Sequence, residues 1–119
     1  MKKFKLKNPN KIAIGHLNIN SIRNKCSAIR ENINKNLDII IFSETKLGAS
    51  FPSGNFLIPG YKQPYCLDIS KSKGGILVFI RDDIPSRPLK NFKIPKLTHI
   101  LPIEINLRKQ KWLLLPFNA

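Results

Sequence analysis

Two apolar runs in this 119-residue chain lead directly to a side chain that can meet a phosphate or a metal. Ile12-Ala13-Ile14-Gly15-His16-Leu17 arrives at Asn18, and Ile39-Ile40-Ile41-Phe42 passes through Ser43 to Glu44. Glu44 suits a hard cation, since Mg²⁺ is usually held by one or two carboxylates together with water and substrate phosphates. A carboxylate that caps a turn or pairs with Lys46 gives the same pattern. Asn18 can orient a phosphate or support a metal ligand, and asparagine after a strand is also a common turn former. The remaining candidates are weaker. His16 lies inside the first run as a core or sheet-surface histidine, and His99 has no Cys or His at metal-ligand spacing. Gly74-Gly75 lacks the context of a nucleotide-binding loop. Cys26 and Cys66 are too few for a disulfide framework and read as small core residues of a reduced, intracellular chain. Trp112 reads as core.

The elements that position Asn18 and Glu44 follow from periodicity. Lys11 to Leu17 is a first strand, with small Ala13 and Gly15 allowing close packing. From Ile22 the apolar positions are Ile22, Cys26, Ile29, Ile33 and Leu37, one face of an amphipathic helix. Asn20 or Ser21 supplies its N-cap, and the helix fades by Asn34–Asn36. Ile39 to Phe42 is a continuous β-branched run, as a fully buried central strand requires. Strand, helix and strand in that order predict a βαβ unit with parallel strands, whose carboxyl edge is where polar groups meet a ligand. Asn18 and Glu44 both fall on that edge. Gly48 to Pro64 reads as a surface loop anchored by Phe51, Phe56 and Tyr61. Ile76 to Arg81 is a further strand, and Arg87 to Lys96 is irregular. Ile100 to Leu107 and Trp112 to Leu115 form a hairpin around Lys109-Gln110-Lys111.

Charge narrows the partners. Lys and Arg outnumber Asp and Glu by 21 to 7, a formal charge of +14. Residues 1–35 carry +8, residues 36–69 carry −1 and residues 70–119 carry +7. Two basic arms around a near-neutral middle suit a polyanion such as nucleic acid. The helix face with Arg23, Lys25 and Arg30 can touch phosphates or stand solvated. No apolar run reaches the roughly 18–20 residues of a membrane span. The basic start MKKFKLKNPNK has no apolar stretch after it, so a signal peptide has no support.

Taken together, HLNINSIRNK (16–25), LDIIIFSETKL (37–47), FPSGNFLIPGY and GGILVFIRDDIPS resemble the endonuclease/exonuclease/phosphatase superfamily. The nearest likeness is to the endonuclease domain of non-LTR retrotransposon polyproteins, from about residue 11 to about residue 115 in the family's order. The resemblance implies a Mg²⁺-dependent phosphodiesterase on a four-layer α/β sandwich. In the retrotransposon branch it nicks target DNA, and the freed 3′ hydroxyl primes reverse transcription. By position, Glu44 matches the metal-binding glutamate, and Asn18 matches the asparagine beside the metal and the scissile phosphate. Asn20 stands where related repair nucleases have an acidic residue, keeping the geometry and dropping a charge. Arg23 and Lys46 are the nearest basic side chains for backbone phosphate. DNA is the implied partner, a reverse transcriptase domain belongs to the parent protein, and the nucleus is its place of action.

The departures point the other way. After KWLL the family continues to a tyrosine, whereas this chain reads LLLPFNA with Phe117 near that place. The family's later Asp-x-Asn pair and closing Asp-His have no counterpart, and neither His16 nor His99 is placed to replace that histidine. The expectation is a basic arm, 1–10, followed by the N-terminal half of the domain, 11–119, truncated and inactive or nearly so alone. A non-catalytic nucleic-acid-binding remnant, and a phosphodiesterase acting on a phospholipid or inositol phosphate, are the alternatives.

Overall fold

A computed structural model describes residues 12–22, 25–33, 36–46, 56–67, 74–89 and 100–116. Seven strands and one helix occur among them: β1 (Ile14–Asn18), α1 (Cys26–Asn32), β2 (Ile39–Ser43), β3 (Tyr65–Leu67), β4 (Ile76–Ile80), β5 (Ser86–Pro88), β6 (Ile103–Leu107) and β7 (Gln110–Leu114). The basic arm 1–10, Arg23, Phe51, His99 and Phe117 lie outside the described residues. No described helix is long and apolar enough to cross a membrane.

The first sheet has the order β1-β2-β4-β3, and the second is β5-β6-β7. β1 and β2 are parallel, as the βαβ pattern requires, with Asn18 opposite Ser43. All other pairings are antiparallel. β2 and β4 are the two inner strands, so both their faces must be covered. β4 is buried at every position, and β2 at all but Ile41.

Alternation splits these strands between two cores. Ile40, Phe42, Leu77 and Phe79 point to the helical side with Ile22, Ile29, Phe56 and Ile58. Ile39, Ile76, Val78 and Ile80 point to the second sheet and meet Ile84, Ile103 and Ile105. The result is a helix–sheet–sheet stack, an α/β architecture whose central layer is the four-stranded sheet. Phe56 anchors residues 56–67 on the helical side of the first sheet. Its ring meets that of Phe79 edge to face at 5.3 Å and lies tilted at 6.2 Å from that of Phe42.

Several expectations need correction. The helix is shorter than its stripe: it runs from Cys26 to Asn32 with Lys25 at its N-cap and no side-chain cap. Asn20 and Ser21 do not cap it, because Ser21 and Ile22 donate their N–H groups to the carbonyls of Glu44 and Thr45, prolonging the parallel ladder. The stripe is nevertheless one packing face, since Ile22, Cys26, Ile29, Ile33 and Leu37 all reach the same core. β3 and β5 are strands of three residues each within stretches that lack a strand pattern. The hairpin turn is Arg108-Lys109, one residue early, with both φ angles positive (52° and 66°), as a two-residue turn requires. Trp112 is not core. It pairs with buried Ile105, yet β7 is the edge strand, and Trp112 stays 40% exposed.

Candidate functional site

The carboxyl end of β1 and β2 meets the amino end of β4, and three backbone stretches are stitched together there. Ile19 donates to the Ser43 carbonyl (3.0 Å), Ser21 to Glu44 (2.8 Å) and Ile22 to Thr45 (3.0 Å). On the other side Lys46 donates to the Gly74 carbonyl (2.9 Å) and Thr45 to Gly75 (3.4 Å). These bonds require sharp local shapes. Asn20, Ser21, Glu44 and Lys46 all have left-handed backbone, as do Gly74 and Gly75. Non-glycine residues adopt that region rarely and at a cost, and such clusters concentrate at functional sites.

Asn18, Asn20, Glu44 and Lys46 stand on this rim, and of their side chains Asn20 and Lys46 are joined directly. Asn18 is exposed at the end of β1, beside the strand that delivers Glu44. Glu44 accepts the Gly74 N–H on Oε2 at 3.1 Å, a bond that ties it to the mouth of β4. Lys46 Nζ donates to Asn20 Oδ1 in a short hydrogen bond. Arg23 lies outside the described residues, so its place relative to this rim is not described.

Four further participants escape a sequence reading. Lys25, read as part of a helix face, turns back and donates from Nζ to the carbonyls of Ile19 (2.7 Å) and Asn20 (3.1 Å). Two ammonium groups therefore converge on Asn20, one on its side chain and one on its backbone. Gly74 contributes its N–H, with only the Gly-Gly pair before an apolar strand as a signal. His16 Nε2 lies 3.0 Å from Ser43 Oγ, on the face of the sheet that also carries Asn18. Thr45, inside the SETK run, is fully buried and its hydroxyl has no hydrogen-bond partner. A methyl group on Gly75 would collide with that hydroxyl, so Gly75 leaves the space in which Thr45 sits.

Mg²⁺ is held by one or two carboxylates with water and substrate phosphates, and on this rim the described carboxylate is Glu44. Among the described residues no group of three or more His, Cys, Asp or Glu side chains could hold a metal ion. The rim offers Glu44 as its carboxylate, already engaged by an N–H, against the two ammonium groups at Asn20. Lys25 and Lys46 bring two ammonium groups to Asn20 on a backbone fixed by the ladder, and an ammonium group is the kind of donor a phosphate oxygen accepts from.

No family model and no curated protein matches the sequence. Solved structures do. A 3′-5′ exonuclease from Neisseria meningitidis superposes with a TM-score of 0.50 at 18% identity, over 86% of this chain and 40% of the exonuclease. A 3′ phosphatase from Neisseria, solved with a product DNA hairpin, gives 0.51 at 18% identity over 87% and 40%. An AP endonuclease from Archaeoglobus fulgidus gives 0.54 at 21% identity, again over 87% and 40%. The chain thus spans about two fifths of each neighbour's length. Over that span it has the α/β fold of the exonuclease and AP-endonuclease kind.

Proposed function

We propose that this chain is the phosphate-binding portion of a DNA phosphodiesterase domain of the endonuclease/exonuclease/phosphatase kind, and that alone it binds DNA without cutting it. The observation that carries this reading is the rim where Asn18 closes β1 and Glu44 directly follows the parallel strand β2, in a fold shared with DNA-processing enzymes. The +14 charge supports a polyanionic partner. The HLNIN and SETKL segments support a retrotransposon-type parent, whose activity is Mg²⁺-dependent nicking of target DNA and whose further domain is a reverse transcriptase. Asn18 and Glu44 are assigned to the reacting phosphate, and Asn20, Arg23 and Lys46 to the DNA backbone. Glu44 is the metal ligand the parent site requires, joined there by ligands that this sequence does not contain.

Two measurements test the reading. Supercoiled plasmid incubated with the chain and Mg²⁺ is expected to stay intact; nicking that Glu44→Gln abolishes would make the chain an enzyme in its own right. Fluorescence anisotropy with labelled duplex DNA is expected to show affinity falling steeply between low and physiological salt, as counterion release dictates. Affinity indifferent to salt would reject a backbone-binding role.

A further inference from the structure

The hairpin of β6 and β7 gathers cations around an aromatic ring that the fold leaves uncovered. Trp112 stands opposite Ile105 on the same face of β7 as Gln110, but β7 is the outer strand and the ring stays 40% exposed. Leu107, Arg108, Gln110 and Trp112 line a recess of about 100 Å³. Two of these side chains are apolar, and two carry hydrogen-bond donors. Arg108 and Lys109, the turn residues, are both exposed, and neither is held in an ion pair among the described residues. Glu104 on the neighbouring strand is taken up by Arg87 at 2.8 Å and Lys111 at 3.7 Å, not by the turn. The charge of Arg108 acts on Asp38, which puts the turn at the end of the stack away from Asn18 and Glu44. An exposed indole flanked by cations suits a single strand, since any base has a flat face to stack and phosphates meet the cations. A duplex keeps its bases stacked on one another and offers the ring none of them along its length.

We propose that the β6–β7 hairpin is a second nucleic-acid contact, in which Trp112 stacks an unpaired base and Arg108 and Lys109 meet the phosphates beside it. The contact takes single-stranded nucleic acid and is separate from the rim. It goes beyond the function proposed above by making an unpaired segment part of what the chain binds, and it rests on that reading only for nucleic acid as the partner.

Trp112 is the chain's one tryptophan, so its emission reports the contact directly. The full chain is titrated with an oligothymidylate and with an abasic strand of the same length, which has the phosphates and lacks the bases. Oligothymidylate is expected to quench Trp112 and shield it from acrylamide, while the abasic strand binds about tenfold more weakly and leaves the emission unchanged. In anisotropy with fluorescein-labelled strands, Trp112→Leu is expected to lose about tenfold in affinity for oligothymidylate, and with it the preference for bases. Lys109→Gln is expected to weaken both strands alike and to flatten the salt dependence. If Trp112→Leu does not fold, the two strands compared on the wild-type chain still decide. Equal quenching by both strands, or none by either while labelled duplex binds, overturns the inference and leaves the proposed function standing. Quenching by oligothymidylate alone, with no duplex binding, supports the inference and overturns the proposed function. Binding of none of the three overturns both.

Discussion

Arg81 Nη1 lies 3.2 Å from Asp38 Oδ1, and the N–H of Arg81 donates to the carbonyl of Asp38 at 3.0 Å. The same carboxylate accepts the Ala13 N–H on Oδ2 at 2.9 Å. One buried acid thus ties the start of β1, the start of β2 and the end of β4 at the end of the sheet opposite the candidate site. Burial pushes the Asp38 carboxyl up, and the Ala13 N–H works against that rise.

Arg81→Met takes one cation from a carboxylate that is only 2% exposed. It is expected to destabilise the fold by about 2–3 kcal/mol, with the Ala13 N–H and the charge of Arg108 still acting on Asp38. Asp38→Asn, which retains an acceptor for Ala13, is expected to cost about 1–2 kcal/mol. Urea unfolding curves of the two variants check the order; an Arg81→Met curve that overlays wild type would remove the clamp from the account.

Tyr61 predicts an alkaline weakness. Its hydroxyl donates to the Leu37 carbonyl at 2.7 Å, and burial together with nearby Asp38 raises its pKa from 10.0 to about 12. The unfolded chain releases this proton first, so the stabilisation is complete below pH 10 and drains away as pH climbs towards 12. The loss amounts to about 2–3 kcal/mol at the upper limit. Melting temperatures between pH 9 and pH 11.5 should fall more steeply for wild type than for Tyr61→Phe. Parallel slopes would count against it.

Thr45 and Gly75 should respond in opposite directions. Thr45→Val deletes a buried hydroxyl that has no partner and keeps the shape, so stability should hold or rise by up to about 1 kcal/mol. Gly75→Ala places a methyl group against that hydroxyl at a φ of +100°, and should cost about 2 kcal/mol or more. The double variant still carries the left-handed strain and should not return to wild type. Denaturant midpoints of the three proteins decide the matter.

Trp112 reports on the edge of the second sheet. It is the sole tryptophan and is 40% exposed, next to Leu113 at 46%. Its emission should be readily quenched by acrylamide in the native protein. Leu113→Lys should raise solubility with a stability change within about 0.5 kcal/mol, since the side chain already faces water. A tryptophan shielded from acrylamide would mean that this edge is covered in solution.

Much of the fold was legible because the buried strands carry it in their own residues. Ile39–Phe42 and Ile76–Ile80 are continuous apolar runs, and both proved to be inner strands. β3 and β5 carry no such pattern. Each is three residues of pairing along an edge, recruited by its partner β4 or β6, and Pro88 is tolerated in β5 because an edge strand can spare an N–H. The helix starts later than the capping chemistry of Asn20 and Ser21 suggests, because tertiary ladder bonds to Glu44 and Thr45 outweigh it. At the site, the strand ends predicted where Asn18 and Glu44 would stand. Gly74, Lys25 and the Asn20–Lys46 bond lie beyond such reasoning, since they depend on left-handed backbone at residues whose types do not demand it.

That rim has a further consequence for how the molecule opens. Four non-glycine residues there hold a conformation that costs of order 1 kcal/mol each, while the strands beneath are buried on both faces. Local unfolding should therefore begin at the rim, with the amides of Ser21, Ile22 and Lys46 exchanging with solvent deuterium well before those of β2 and β4. A molecule that binds the rim would slow those amides first, and their protection would map its footprint before any change in melting temperature.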